Sequence, residues 1–262
     1  MLTNKLEILR YHQDGTGEKI EDIVVVEKPL TIFVNGYEIA TLLCTPADLK
    51  PLILGFLISE GFIKAVTDIV EMEFSHEKTV VSVKLGQEIK KTFYLRKRTL
   101  TSACGGGVTF MNLRDCAEAG EVNSSLTVSK KHIADLMAEM QSGSRIFQKT
   151  GGTHTAALAD KDKLLFFAED IGRHNTLDKI IGKALLQGLS FSNKVLLTSG
   201  RISSEMVLKA LKRGIPVLAS RSAPTMMALK IARERDMTVI GFIRGARMNL
   251  YTGGQRLQEE QD

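Results

Sequence analysis

Cys104 stands in the run Thr101-Ser102-Ala103-Cys104-Gly105-Gly106-Gly107. Three glycines directly after a thiol are costly in backbone entropy and add no packing, so such a loop serves mobility or close backbone approach. It presents the thiol instead of burying it, against the usual habit of cysteine as a small buried filler. Arg96, Lys97 and Arg98 lie just upstream and favour the thiolate, the nucleophilic form. Of the two other cysteines, Cys44 closes an apolar run and Cys116 follows Asp115 in a polar stretch, and both read as structural or incidental. No pair has Cys-x-x-Cys spacing and no His-x-Glu precedes a Pro-Cys-x-x-Cys, so neither a dithiol redox centre nor a deaminase-type zinc site is written here. Three irregularly spaced cysteines also exclude a disulfide scaffold and fit a reducing compartment.

A second group of residues suits an anion. Val195-Leu196-Leu197-Thr198-Ser199 aligns with Pro216-Val217-Leu218-Ala219-Ser220, and each apolar run is followed by an arginine (Arg201, Arg221) and a serine-bearing helix start. A third run, Met237–Ile243, ends in Arg244-Gly245-Ala246-Arg247. Carboxyl ends of parallel strands and helix N-termini are where α/β sheets bind phosphates, so the three ends together point to a phosphate site. Serine capping with solvent-facing arginines is the plainer account of any one of them.

A third group is Gly151-Gly152-Thr153-His154 and Glu169-Asp170-Ile171-Gly172-Arg173-His174-Asn175, denser in functional groups than a capping turn requires. Asn175 is positioned to cap the helix that follows, which leaves Asp170, Arg173 and His174 for a hydrogen-bond network or for catalysis.

These residues need elements to hold them. A chain of 262 residues with 44% hydrophobic and 25% charged residues supports one large domain or two unequal ones. Val34-Asn35-Gly36-Tyr37 marks a hairpin, and Val80–Leu85 with Glu88–Leu95 reads as a second. Thr45-Pro46 is expected to start a helix with Thr45 as N-cap, running to Gly61, and Ser129–Met140 reads as another helix. From about Phe147 strands and helices alternate, which argues for a sheet covered by helices on its faces. The expected division is a smaller strand-rich N-terminal region over 1–125, ending in the Cys104 loop, and an α/β cofactor-binding domain over 126–262. The net charge of +5 is concentrated between Leu196 and Tyr251, where ten Lys/Arg face three acids. That segment's aromatics are Phe242 and Tyr251 alone, so it lacks the aromatic interleaving of a nucleic-acid surface. No apolar stretch approaches the roughly 18 residues of a membrane span, and the charged first 14 residues do not read as a secretory signal, so a cytoplasmic protein without membrane partners is expected.

Several segments in order resemble the FdhD family of sulfur carrier proteins, accessory sulfurtransferases for formate dehydrogenase. They are Thr45-Pro46 through Glu60-Gly61, Ser102-Ala103-Cys104-Gly105, Thr150–His154, Glu169–Asn175 with Asp178-Lys179, Ser199-Gly200-Arg201, Ser222–Thr225, and Gly241-Phe242 to Arg247. The resemblance implies an α/β protein (α+β overall) whose larger domain is a cytidine-deaminase-like three-layer arrangement of sheet and helices without zinc ligands. It implies that Cys104 accepts persulfide sulfur from a cysteine desulfurase and passes it to the molybdenum cofactor, Mo-bis(molybdopterin guanine dinucleotide), before insertion into formate dehydrogenase. It also implies that Phe242, Ile243, Arg244, Gly245, Ala246 and Arg247 bind that cofactor, with Ser199 and Arg201 lining the same pocket. No metal is bound directly by the protein on this reading, and a homodimer is expected.

One departure stands out: relatives often carry Cys-x-x-Cys at this loop, and here the second place is Gly107. A relay through one cysteine survives this change, because removal of the outer sulfur restores the thiol without a partner. The alternative is a nucleotide-cofactor-binding chaperone without sulfur transfer, for which Cys104 is dispensable.

Overall fold

The computed structural model describes residues 1–88, 99–100, 108–109 and 120–258. The expectations placed on Cys104, Gly105, Gly106, Gly107 and Cys116 lie outside the described residues. The chain opens with an antiparallel ribbon of β1 (Thr3–Tyr11) and β2 (Gly17–Val25). β3 (Lys28–Val34) and β4 (Tyr37–Cys44) follow as the expected hairpin. Asn35 and Gly36 take φ of 48° and 82°, the left-handed pair whose twist suits a two-residue turn.

α1 (Leu49–Ser59) begins later than expected. Its N-cap is Asp48, in the left-handed region, and not Thr45, whose hydroxyl is held by the buried Asp170 and Lys179. β5 (Ile69–Phe74) and β6 (Val80–Leu85) complete a four-stranded sheet of order β4-β3-β6-β5. β6 pairs with β5 antiparallel and with β3 parallel; of its expected hairpin partner Glu88–Leu95, all but Glu88 lies outside the described residues.

Two-residue strands β7 (Thr99–Leu100) and β8 (Val108–Thr109) pair with each other. β9 (Val128–Ser129) leads into α2 (Lys130–Gly143), the helix expected over Ser129–Met140, with Ser129 as its cap, the Oγ accepting from the His132 N–H at 3.1 Å. Then come α3 (Arg145–Thr150), β10 (His154–Ala159), β11 (Leu164–Asp170), α4 (Arg173–Leu186), β12 (Val195–Thr198), α5 (Ser204–Leu211), β13 (Val217–Ser220), α6 (Met226–Glu234), β14 (Thr238–Arg244), β15 (Arg247–Thr252) and β16 (Leu257–Gln258). Six strands form one sheet in the order β11-β10-β12-β13-β14-β15. Only the β12/β13 and β13/β14 steps are parallel, so the sheet is mixed. This is an α/β architecture, with helices on both faces of the sheet.

Alternation along the strands shows how the layers stack. Ala156, Leu158, Leu196, Leu218 and Val239 join Ile180 of α4, Val207 of α5 and Ala228 of α6 in one buried cluster. Ala157, Leu197, Ala219 and Ile240 point the other way, into a second cluster with Ile133, Leu136, Met137 and Met140 of α2. Each fully buried Leu or Ile contributes about 1.5 to 3 kcal/mol, so the helices are pinned from both sides. The first cluster continues without a break into α1 and the smaller sheet, through Leu52, Phe56, Leu30, Ile32 and Val81. α1 and α4 approach so closely that a methyl group on Gly55 would overlap the Asp178 carbonyl, and one on Gly182 the Pro51 carbonyl. Among the described residues no helix is long and apolar enough to cross a membrane.

Candidate functional site

β12, β13 and β14 run side by side, so their carboxyl ends open on one edge of the sheet. The turns beyond them are fixed by main-chain hydrogen bonds: the Ser199 N–H donates to Thr155 O at 2.9 Å, Arg221 to Thr198 O at 3.1 Å, and Phe242 to Ser222 O at 3.1 Å. The Ser220 hydroxyl donates to Gly200 O at 2.6 Å. Beyond this edge lies a cleft of about 840 Å³ whose wall includes His154, Ser199, Arg221, Ser222, Phe242 and Arg244, with Phe147 and Gln148 of α3 on its far side. A volume of this size suits a nucleotide-sized ligand.

The expected cofactor segment divides in two. Phe242 and Arg244 face the cleft. Ile243 between them is 1% exposed and packs into the α2 cluster. Gly245, with φ of 58°, and Ala246 form the turn to β15, where Arg247 pairs with Arg244 across the strands. Ser199 lines the cleft, whereas Arg201 and Arg247 are exposed and outside its wall. Phe242 has φ of 53°, a left-handed conformation costly for an aromatic residue, at an irregularity in the β14/β15 register. Strain of this kind is held in place by surrounding structure, and here it turns the ring toward the cleft while its neighbours on either side stay buried.

His154 was not separable from a turn residue by sequence, and β10 itself was not anticipated. β10 is antiparallel to β12, so its first residue reaches the same edge, with His154 Nδ1 3.5 Å from Ser199 Oγ. Burial lowers the His154 pKa below its ordinary value, and the neighbouring Arg173, His174 and Arg201 lower it further, against an opposing effect of Asp170. These surroundings favour the neutral imidazole. A methyl group at Gly200 would press on the Arg173 side chain, 3.0 Å away, and would touch His154 Nδ1 at 3.5 Å.

The acidic pair before α4 is structural. The Glu169 carboxylate accepts from the Ile146 and Phe147 N–H groups at the start of α3, at 3.1 and 2.8 Å, and from the Thr153 hydroxyl at 3.2 Å, so it holds the far wall of the cleft. Asp170 is fully buried and accepts from Thr45 N–H and Oγ1, Gly172 N–H, Asn175 Nδ2 and Lys179 Nζ. Asn175 does not cap α4: Gly172 holds that position, and Asn175 lies inside the helix, donating to Asp170 and to Leu43 O. His174 Nε2 pairs with Glu205 at 2.9 Å. A second buried network ties α4 to α1 and α5: Lys209 donates to both Asp178 oxygens, at 2.9 and 2.7 Å, with Glu60 at 3.4 Å. Burial alone would lower the Lys209 pKa, but the two carboxylates outweigh it and hold it above the ordinary value. Cys44 is 1% exposed. Burial first, and then the Asp170 charge, push its thiol up to about 12, which leaves it without thiolate character at neutral pH.

Fold and cleft define a mixed α/β protein that gathers arginine, hydroxyl and imidazole groups at the carboxyl ends of adjacent strands, an arrangement suited to a phosphorylated ligand. The chain belongs to the FdhD/NarQ family, whose model matches residues 25–258. It is 42% identical over 255 residues to the sulfur carrier protein FdhD of Bacillus subtilis (strain 168), with 97% of each chain covered. It is 40% identical over 252 residues to the protein of that name from Staphylococcus haemolyticus (strain JCSC1435), covering 96% of this chain and 95% of the relative. A crystal structure from Desulfotalea psychrophila, of a protein described as a formate dehydrogenase accessory protein, shares the fold with a TM-score of 0.82 at 24% identity, over 98% of this chain and 100% of that one.

Proposed function

We propose that this chain is a sulfur carrier that serves formate dehydrogenase, taking sulfur onto Cys104 and handing it to a nucleotide-bearing molybdenum cofactor held in the strand-end cleft. The observation that carries this reading is the cleft: Arg221, Arg244, Ser199 and Ser222 come from three strand ends to one wall, which suits a guanine dinucleotide's pyrophosphate. The names borne by the relatives supply the sulfur-carrier role and the link to formate dehydrogenase.

In the first step the Cys104 thiolate attacks the outer sulfur of a cysteine desulfurase's persulfide. One S–S bond forms as another breaks, and the desulfurase thiolate leaves, so no net oxidation is needed. In the second step the outer sulfur passes to the molybdenum cofactor as substrate, which supplies the two electrons that make it sulfide, and Cys104 returns as a thiolate. Gly107 stands where a second cysteine would otherwise be, so neither step draws on a neighbouring thiol. Arg221 and Arg244 hold the phosphates, and Phe242 offers the cleft an aromatic face. On this reading the carrier works in the cytoplasm, and a homodimer is its assembly.

The test is to load the purified full chain with sulfur from a cysteine desulfurase and free cysteine, alkylate it, and map the adducts. One extra sulfur atom on Cys104 supports the proposal. Sulfur on Cys116 with none on Cys104 overturns it.

A further inference from the structure

The mechanism above leaves one half-buried titratable group of the cleft wall, His154, without a task. Arg173 and His174 from α4 and Arg201 from the loop after β12 all disfavour a charge on His154. Arg221 and Arg244 lie in the same cleft wall. Asp170 is its partner on β11 in the β10/β11 register, but that carboxylate is paired with Lys179 at 2.6 Å. Glu169 is occupied by the main chain of α3 and by Thr153. A further fixed cation at position 154 would be repelled at all times. A group that becomes charged only when an anion arrives avoids that cost.

We propose that His154 is a proton-linked ligand of the phosphate bound in the cleft: its imidazole takes a proton from solvent as the phosphate enters and then donates a hydrogen bond to it. The position supports this role. His154 lines the cleft, its Nδ1 faces Ser199 Oγ at 3.5 Å, and Ser199 Oγ also accepts from the Thr155 N–H at 3.0 Å, so the ring sits beside an anchored hydroxyl. His174, the neighbouring imidazole, is committed to Glu205 and stands outside the cleft wall. The inference deepens the reading of the cleft as a nucleotide site and rests on it. It makes affinity for a nucleoside diphosphate proton-dependent, tightening as the pH falls from 8 toward 6 by up to about tenfold per unit.

The test is calorimetric titration of the full chain with guanosine diphosphate at pH 7, in buffers of different ionisation enthalpy, comparing the native protein with His154→Gln. The expected result is that the native protein takes up more protons per bound nucleotide than the variant, and that the variant's affinity varies less with pH. Equal proton uptake in the two proteins overturns the inference and leaves the cleft reading intact. No binding by the native protein overturns both. Should the variant fail to fold, the His154 ring resonances of the native protein answer instead: a pKa raised by a unit or more on adding the nucleotide supports the inference, and an unmoved one overturns it.

Discussion

Asp170 and Lys179 meet at 2.6 Å with both side chains entirely removed from solvent, and the Thr45 hydroxyl touches both, at 3.0 and 2.8 Å. This contact joins the end of β11, the helix α4 and the segment before α1, so the N-terminal sheet and the large sheet are held together by a charge pair as well as by apolar packing.

Asp170→Asn should therefore destabilise the protein by about 3 to 5 kcal/mol, since it leaves the Lys179 ammonium buried and uncompensated. Urea unfolding of the purified protein measures this. A loss under about 1 kcal/mol would mean that Thr45 and the Glu169 carbonyl, which lies 3.2 Å from Lys179 Nζ, satisfy the ammonium by themselves.

Gly182→Ala places a methyl group against the Pro51 carbonyl at the α1/α4 crossing, where neither main chain has room to yield. The expected cost is about 1 to 3 kcal/mol. Gly120→Ala, where nothing lies within 4 Å, is the matched control. Thermal unfolding of the two variants side by side should lower the midpoint for the first and barely move it for the second.

Cys44 should resist alkylation in the native protein at pH 8 and react fully once unfolded. Its folded thiol is raised to about 12 from an ordinary value of 9.0. A raised group contributes stability that is complete below the unfolded pKa and is lost as the pH climbs toward the folded one. The Cys44 contribution is thus intact below about pH 9 and falls away between 9 and 12. Cys44→Ala should flatten that part of the alkaline stability profile, as read by unfolding midpoints across the range.

Arg221→Ala should weaken binding of guanosine diphosphate by about tenfold or more, the worth of a hydrogen bond to a charged phosphate. Arg233→Ala, on the last turn of α6 and outside the cleft wall, should leave binding unchanged. Equal affinities for the two variants would remove Arg221 from the site.

How legible the site was depended on what kind of signal each residue left. Serine and arginine after repeated apolar runs marked the ends of β12, β13 and β14, because a short buried strand and its turn are written locally. Which of those arginines enters the cleft was not local: Arg221 lines it and Arg201 does not, and Arg244 faces it while Arg247, its partner across the β14/β15 turn, does not. β10 was missed because its alanines at 156, 157 and 159 have little intrinsic strand preference. They lie fully buried at the centre of a sheet covered on both faces. Thr45 looked like a helix cap and instead serves Asp170, 125 residues away in the chain. A contact of that range leaves no trace in spacing.

The central claim is tested most directly in cells that carry Cys104→Ala in place of the native gene, by measuring formate dehydrogenase activity together with the sulfur content of its molybdenum centre. The account predicts that the enzyme accumulates with its cofactor but without the transferred sulfur, and that activity is lost. Full activity with a fully sulfurated molybdenum centre would contradict it and would leave the protein a nucleotide-binding chaperone.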